Sequence, residues 1–264
     1  MKWSIKNKVI DSLIINDENL INPWGVETSD TSAFYSLEDS IGYRFDIEEE
    51  DEVVDEGIHT YNALIRMKDG AFELNLKEEL QGSKVLRSVT LNVLEDLPLM
   101  DFVLRFRFKD GYFKKAEISG NNFTADNSNI YHQFSTDEVK LLGERYNILV
   151  KVVEFVAPDR FEQNMYVRSR NKEWIIHARM IPKFSERSVI KLCSIWFMTR
   201  PIPKFLSDIL LKSSYIKKML WYRGERNPFK SRLMRVFNPN AFPMIELKKG
   251  DLLKWKVECI VSER

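Results

Sequence analysis

A chain of 264 residues that is 44% hydrophobic and 30% charged has the balance of a globular protein, and its 10 glycines argue against collagenous, linker-rich or low-complexity character. The net charge of +1 hides a gradient, since residues 1–60 carry 4 Lys/Arg against 15 Asp/Glu and residues 201–264 carry 14 against 6. Either the two ends neutralise each other or a basic surface meets an anionic partner. Of these, mutual neutralisation is the simpler expectation.

The two cysteines, Cys193 and Cys259, lie in strand-patterned segments without CxxC or histidine neighbours, so reduced core thiols are expected rather than zinc. No apolar run approaches the ~20 residues of a membrane span. The first residues lack the apolar stretch of a signal peptide. A cytoplasmic location is the expectation, and the sequon Asn122-Phe123-Thr124 then has no glycosylation role.

In chain order, residues 3–15 read as one or two short strands, and Asn22-Pro23-Trp24-Gly25 as a turn. Residues 41–47 alternate, then run into an acidic block over 46–56 that is expected to be a solvated loop. Residues 61–67 and 71–76 form a hairpin candidate around Lys68-Asp69-Gly70. Residues 84–95 make a long strand with Val85, Val89, Leu91 and Val93 on one face.

The segment over 100–108 carries the clearest alternation. Met100, Phe102, Leu104, Phe106 and Phe108 share one side, while Asp101, Val103, Arg105, Arg107 and Lys109 share the other. Asp110-Gly111 then predicts a tight hairpin, with a bulge just after it.

Residues 130–134 read as a short strand and 136–142 as a helical turn or loop. Residues 146–156 are apolar on both faces, which predicts a central strand covered on both sides. Strands follow at 163–168, 173–181 and 189–198. One amphipathic helix is predicted over 203–223, started by Pro203 and ended by Gly224, with its apolar stripe expected to dock on the body. A strand-like piece over 233–237 comes next. The chain closes with a strand over 242–247, a Lys249-Gly250-Asp251 turn and a strand over 252–261 that faces Leu253, Trp255, Val257, Cys259 and Val261 inward.

A dozen or more strands on short turns, with one late helix, predict an all-β fold. It is a large antiparallel β-sandwich formed by residues 1–264 as one domain.

The closing strand, turn and strand over 242–261, with Lys249-Gly250-Asp251 where a Pro-Gly-Glu-type turn stands in the family and Trp255 as the strand aromatic, resembles the ending of galactose-mutarotase-like supersandwiches. The resemblance implies a supersandwich fold and a sugar as substrate class. The mutarotase pattern of paired histidines with a late glutamate is not matched to positions in this chain, so the resemblance does not carry the activity over.

Three histidines are candidates for acid–base chemistry, because imidazole titrates near neutrality. His177 and Arg179 share one face of a strand whose other face carries Trp174, Ile176, Ala178 and Met180. On a concave face His177 could move a proton while Arg179 holds a carboxylate or hydroxyl; on an outer face both are simply solvated. His132 is the second candidate, and His59, beside the acidic block, ranks behind both. Arg105, Arg107 and Lys109 form a basic stripe, with Arg87 a possible member across the sheet. Such arginines can grip uronic acids, sulfates or phosphates, or pair with carboxylates on neighbouring strands. Tyr131 is the best sugar-stacking platform; Trp174 and Trp196 fit the core better.

The functional expectation is therefore a carbohydrate-binding or carbohydrate-modifying protein. It would act on an anionic sugar by proton transfer, as an epimerase, mutarotase or lyase, with no cofactor or metal. The alternative is a non-catalytic interaction protein. It would use the helix and the basic tail (Lys217, Lys218, Arg223, Arg226, Lys230, Arg232 and Arg235) to engage a protein or an anionic membrane surface. Nucleic acid is the weaker partner class, since no recognition motif accompanies the basic residues.

Overall fold

The computed structural model describes residues 1–29, 34–37, 41–43, 45–99, 101–186, 191–195, 198–221 and 242–264. More than two thirds of these lie in antiparallel sheets, as the alternating patterns require. The larger sheet has nine strands in the order β14 (Asn121–Thr124), β13 (Phe113–Ile118), β16 (Glu138–Gly143), β17 (Tyr146–Val156), β23 (Leu252–Glu263), β10 (Lys84–Val93), β9 (Gly70–Gln81), β8 (Ile58–Met67) and β7 (Phe45–Asp55).

The second sheet has seven strands in the order β15 (His132–Phe134), β18 (Phe161–Arg170), β19 (Glu173–Pro182), β12 (Asp101–Lys109), β4 (Ile21–Ser29), β5 (Phe34–Ser36) and β6 (Ile41–Tyr43). Two smaller sheets join β1 (Lys2–Lys6), β2 (Val9–Ile15) and β3 (Glu18–Asn19), and β11 (Leu97–Leu99), β22 (Phe242–Leu247), β20 (Lys191–Ile195) and β21 (Met198–Pro201).

The two large sheets meet through the faces that the alternation assigned to the core. Phe102, Leu104, Phe106 and Phe108 of β12 are fully buried, as are Leu253, Trp255, Val257 and Cys259 of β23. Phe102 and Trp255 touch across the layers with ring centroids 5.3 Å apart. Trp24 sits in the same layer, edge-on to Phe106 at 4.9 Å. Losing one such ring typically costs about 3–5 kcal/mol, because both transfer energy and packing go. Cys259 is a free, buried thiol, and burial pushes its pKa up, away from reactivity.

One buried polar group ties the layers together. Arg87 has the inward parity of Val85 and Val89, and it is fully buried on β10. Its Nε donates to Glu78 Oε1 at 2.5 Å, its Nη1 to the Arg105 carbonyl at 3.0 Å and its Nη2 to the Gly25 carbonyl at 3.4 Å. Those carbonyls belong to paired residues of β12 and β4, beside the register shift between Arg105 and Arg107. A bulge leaves backbone oxygens in need of donors, and Arg87 supplies them from the opposite sheet. Its guanidinium also lies 5.7 Å from the Trp24 ring and 5.1 Å from the Phe106 ring. Behind Glu78 comes His59, also buried, with Nδ1 at 2.9 Å from Glu78 and Nε2 at 3.2 Å from Glu52 near the surface.

Several expectations change. Asp110-Gly111 does not close a hairpin: β12 pairs with β4 and β19, whereas β13 belongs to the nine-stranded sheet, so this turn crosses between layers. A register shift between Phe113 and Lys115 matches the expected bulge. The acidic block is an edge strand, β7, rather than a loop. It pairs on one side with β8, which leaves its carboxylates in water, and some find partners such as Arg66 for Glu48 and Lys8 for Glu50. That is how an edge strand tolerates like charges. Residues 136–142 contribute to the strand β16. β17 is central, yet Val153 on its outer face is exposed, so only one face is fully covered.

The predicted helix is two short ones, α1 (Lys204–Leu210) and α2 (Ser214–Trp221). Phe205, Leu206 and Ile209 of its apolar stripe are exposed rather than docked. Met100, Trp196, the helix end at 222–224 and the strand-like piece over 233–237 lie outside the described residues.

Candidate functional site

The face of the seven-stranded sheet that points away from the large layer is polar. Its composition follows from parity. On β19 the even residues Trp174, Ile176, Ala178 and Met180 enter the core, so Glu173, His177 and Arg179 face outward. On β18 Met165 and Val167 enter the core, so Asn164, Tyr166 and Arg168 share that outward face. On β12 the outward residues include Arg105 and Arg107. Register then aligns one row across four strands, as Arg105 opposes His177, His177 opposes Tyr166 and Tyr166 opposes Gln133.

This outward face is not a wet surface. His177 is 3% exposed and Arg168 7%, while Asn164 and Gln133 are fully buried. The side chains of Arg105 and Arg107 keep 13% and 24% exposure. The expectation that His177 and Arg179 would be solvated if on an outer face therefore does not apply to His177.

Hydrogen bonds assign the state of His177. Arg105 Nε can only donate, and it lies 3.1 Å from His177 Nε2, so Nε2 carries the lone pair. Nδ1 then holds the proton and donates to the Tyr166 hydroxyl, with which it makes a short contact. Burial holds the His177 pKa well below its ordinary value, and the charges of Arg105, Arg168 and Arg179 lower it further. At neutral pH the imidazole is uncharged. Burial likewise raises the Tyr166 phenol, so it stays protonated. The Arg105 guanidinium is pulled down to about 10 by burial, with Arg168 and Arg107 adding repulsion, and it remains a cation at neutral pH.

The arginines differ in their partners. Arg107 grips Glu173 with Nε at 3.0 Å and Nη2 at 3.1 Å, and Asn22 Nδ2 donates to the same carboxylate at 2.7 Å. This is a closed, bidentate pair. Arg105 pairs with Glu27 of β4. Arg179 Nη1 donates to Gln133 Oε1 at 3.0 Å. Arg168 Nη1 donates to Asn129 Oδ1 at 3.0 Å and to the Tyr131 hydroxyl at 2.5 Å, both neutral acceptors. Its guanidinium also lies 4.7 Å from the Tyr131 ring, which stands edge-on to Tyr166 at 5.0 Å. Among the described residues, Arg168 Nε and both amide atoms of Asn164 have no hydrogen-bond partner. Such groups are uncommon in a folded interior, because burial without a partner costs about 1–3 kcal/mol.

Of the residues singled out in the sequence, the structure brings His177, Arg179, Arg105, Arg107 and Tyr131 to this one face. It places His132 elsewhere. His132 opposes the core residue Val167 and stacks on Phe123 with ring centroids 3.6 Å apart, on the reverse side of the same sheet. Arg87 belongs to the layer between the sheets and does not join the stripe.

Sequence reasoning passed over Tyr166, Arg168, Asn164, Gln133, Glu27 and Glu173. The signal for three of them was present: within Gln163-Asn164-Met165-Tyr166-Val167-Arg168, polar side chains alternate with apolar ones in phase with the His177 face. Among the described residues, no group of three or more His, Cys, Asp or Glu side chains is arranged to hold a metal ion.

No model of a known protein family matches the chain, and no curated protein matches it in sequence. Solved structures do. The chain is similar to a putative aldose 1-epimerase from Escherichia coli at 9% identity and a TM-score of 0.50, covering 97% of this chain and 93% of that one. It is also similar to a galactose mutarotase-like protein from Lactobacillus casei at 9% identity and a TM-score of 0.49, covering 98% and 96%. The protein has a galactose-mutarotase-like fold, an antiparallel β-supersandwich. At such low identity the likeness concerns the arrangement of strands.

Proposed function

We propose that the polar face of the seven-stranded sheet binds a carbohydrate bearing a negative charge, a uronate or a sugar phosphate. The observation that carries this reading is the crowding of Arg105, Arg168 and Arg179 around a neutral, buried His177, with Arg168 bonded to uncharged oxygens. An oxyanion placed there would meet guanidinium donors in a sheltered setting where charge-assisted bonds are strong. The Asn164 amide, buried on the same face, offers a donor and an acceptor of the kind that sugar hydroxyls take up. The similarity of the fold to that of a putative aldose 1-epimerase agrees with a sugar as the ligand class.

In its catalytic form the proposal assigns proton transfer to His177. With Arg105 on Nε2 the imidazole has no free lone pair. A ligand anion that draws the Arg105 Nε–H to itself releases Nε2 to act as base, while the Nδ1 proton stays with Tyr166. Ligand binding and activation of the base are thus one event.

Calorimetric titration with galacturonate, galactose 6-phosphate and galactose tests the binding reading. The anionic sugars should bind and galactose should bind at least tenfold more weakly, roughly the value of one charged hydrogen bond. Equal affinity for all three, or none, removes the proposal. Proton exchange followed by NMR tests the catalytic form: His177→Gln should abolish turnover and leave binding within a few-fold.

A further inference from the structure

The outward face of the seven-stranded sheet continues past β12. On β4, Trp24 and Val26 enter the core, so Glu27 points outward; on β5, Tyr35 enters the core, so Ser36 points outward. Register sets these side chains in one row with others on the face: Asn164 opposes Arg179, Arg179 opposes Val103, Val103 opposes Glu27 and Glu27 opposes Ser36. Glu27 and Ser36 are both buried. Glu27 pairs with Arg105, whereas the Ser36 hydroxyl has no hydrogen-bond partner among the described residues. A hydroxyl both donates and accepts, and a buried one ordinarily finds a partner.

Buried groups without partners thus stand at both ends of the row, the Asn164 amide on β18 and the Ser36 hydroxyl on β5. Between them lie β19, β12 and β4. Four strand-to-strand steps of about 4.8 Å put the ends roughly 19 Å apart. A single pyranose, built of bonds of about 1.5 Å, is roughly 6 Å across. Hydrogen bonds of about 3 Å at both sides extend its reach to about 12 Å. One sugar therefore cannot satisfy both ends, and a chain of two or three can.

The two halves of the face also differ in charge. Arg168, Arg179 and Arg105 come from β18, β19 and β12. β4 and β5 contain no Lys or Arg, and their one charged residue is Glu27. To an oxyanion the first half offers guanidinium donors, while the second presents a carboxylate that repels it. Hydroxyls of a neutral sugar suit the second half, since they can donate to Glu27 and either donate to or accept from Ser36.

We propose, on the basis of the anionic-sugar reading of this face, that its ligand is an oligosaccharide of two or three units. Its anionic unit lies over Arg168 and His177, and a neutral unit lies over Glu27 and Ser36.

Calorimetric titration tests this with galacturonate, with trigalacturonate, and with galactotriose carrying galacturonate in place of its first or its last unit. One of the two mixed trisaccharides should bind roughly tenfold tighter than galacturonate, the worth of one or two neutral hydrogen bonds. It should also bind tighter than trigalacturonate, which sets a carboxylate against Glu27. Ser36→Ala should bring that trisaccharide to within about threefold of galacturonate, as the loss of one such bond requires. Circular dichroism and the melting temperature of the variant should match those of the unaltered chain, because the hydroxyl removed had no partner. If galacturonate binds and neither mixed trisaccharide binds more tightly, the oligosaccharide is overturned while the anionic-sugar reading stands. Trigalacturonate binding as tightly as the better mixed trisaccharide, or Ser36→Ala keeping the full tenfold advantage, overturns the placement of the neutral unit. No binding by any of these sugars overturns both.

Discussion

Two clusters in this protein are made of the same parts, an arginine, a histidine and carboxylates, and they lie on opposite sides of one strand. Between the sheets, Arg87, Glu78 and His59 are fully buried, and Arg87 and His59 are each engaged on more than one side. On the outward face, Arg105, His177, Tyr166 and Arg168 are linked as well, but Arg168 Nε and the Asn164 amide lack partners among the described residues. The first cluster satisfies a bulge and is complete. The second is where we propose that an anionic sugar binds. β12 connects them, since the Arg105 carbonyl accepts from Arg87 while the Arg105 side chain donates to His177. In the proposal it is open hydrogen-bonding capacity around a charge, rather than burial of charge by itself, that marks the site.

The contrast can be broken most sharply at Glu78. Glu78→Gln leaves the buried Arg87 cation beside a neutral amide, and breaking such a pair costs about 3–5 kcal/mol. Urea unfolding should show a loss of that order, and a loss below about 1 kcal/mol would mean the inner cluster is not structural. At Arg168 the account expects the opposite balance. Arg168→Met should weaken an anionic sugar by roughly 10- to 100-fold, the range of a charged hydrogen bond, while stability moves by less than about 1 kcal/mol. Equal losses of stability at Arg168 and Glu78 would erase the distinction.

A pH series sharpens the outer cluster. The pKa of His177 is lower folded than its ordinary value of 6.5, so below that pH the unfolded chain takes up a proton the folded chain refuses. Its contribution is full above 6.5 and is lost as pH falls toward the folded value, at up to ~1.4 kcal/mol per pH unit. His177→Gln, which can still accept from Arg105 and donate to Tyr166, should flatten that acid limb by one proton. An unchanged slope would show the imidazole to be accessible to protons. The smallest effect is expected at Asn164. Asn164→Leu removes an unpartnered amide and should leave stability unchanged or raise it by about 1 kcal/mol; a loss of 2 kcal/mol or more by thermal melting would indicate a bond that the free protein makes.

Much of the fold was legible because strand parity is a strong signal. Phe102 to Phe108 and Leu253 to Val261 gave their buried faces directly, and the Lys68-Asp69-Gly70 turn gave the β8–β9 pairing, with Met67 opposite Gly70. What parity cannot give is the partner strand. Asp110-Gly111 has the residues of a hairpin turn, yet which sheet receives the next strand is set by long-range pairing.

The same limit applied to the site. Arg105, Arg107, His177 and Arg179 came from strands now adjacent and Tyr131 from the residue before β15, while His132 lies opposite the core residue Val167 and so takes the other face. Arg87 was readable as inward from its phase with Val85 and Val89, but a lone arginine among valines looks like an exception until the opposing carbonyls are seen. The exposed arc of α1 ran against amphipathic reasoning, which identifies an apolar stripe but not what covers it.

The most direct test follows the arginine Nε–H signals by proton–nitrogen NMR while galacturonate is added. The account predicts that Arg168 Nε–H shifts and exchanges more slowly with water, that Arg87 Nε–H stays in place, and that galactose at the same concentration moves neither. Arg168 unmoved by the anion, or Arg87 and Arg168 moving together with either sugar, would contradict it.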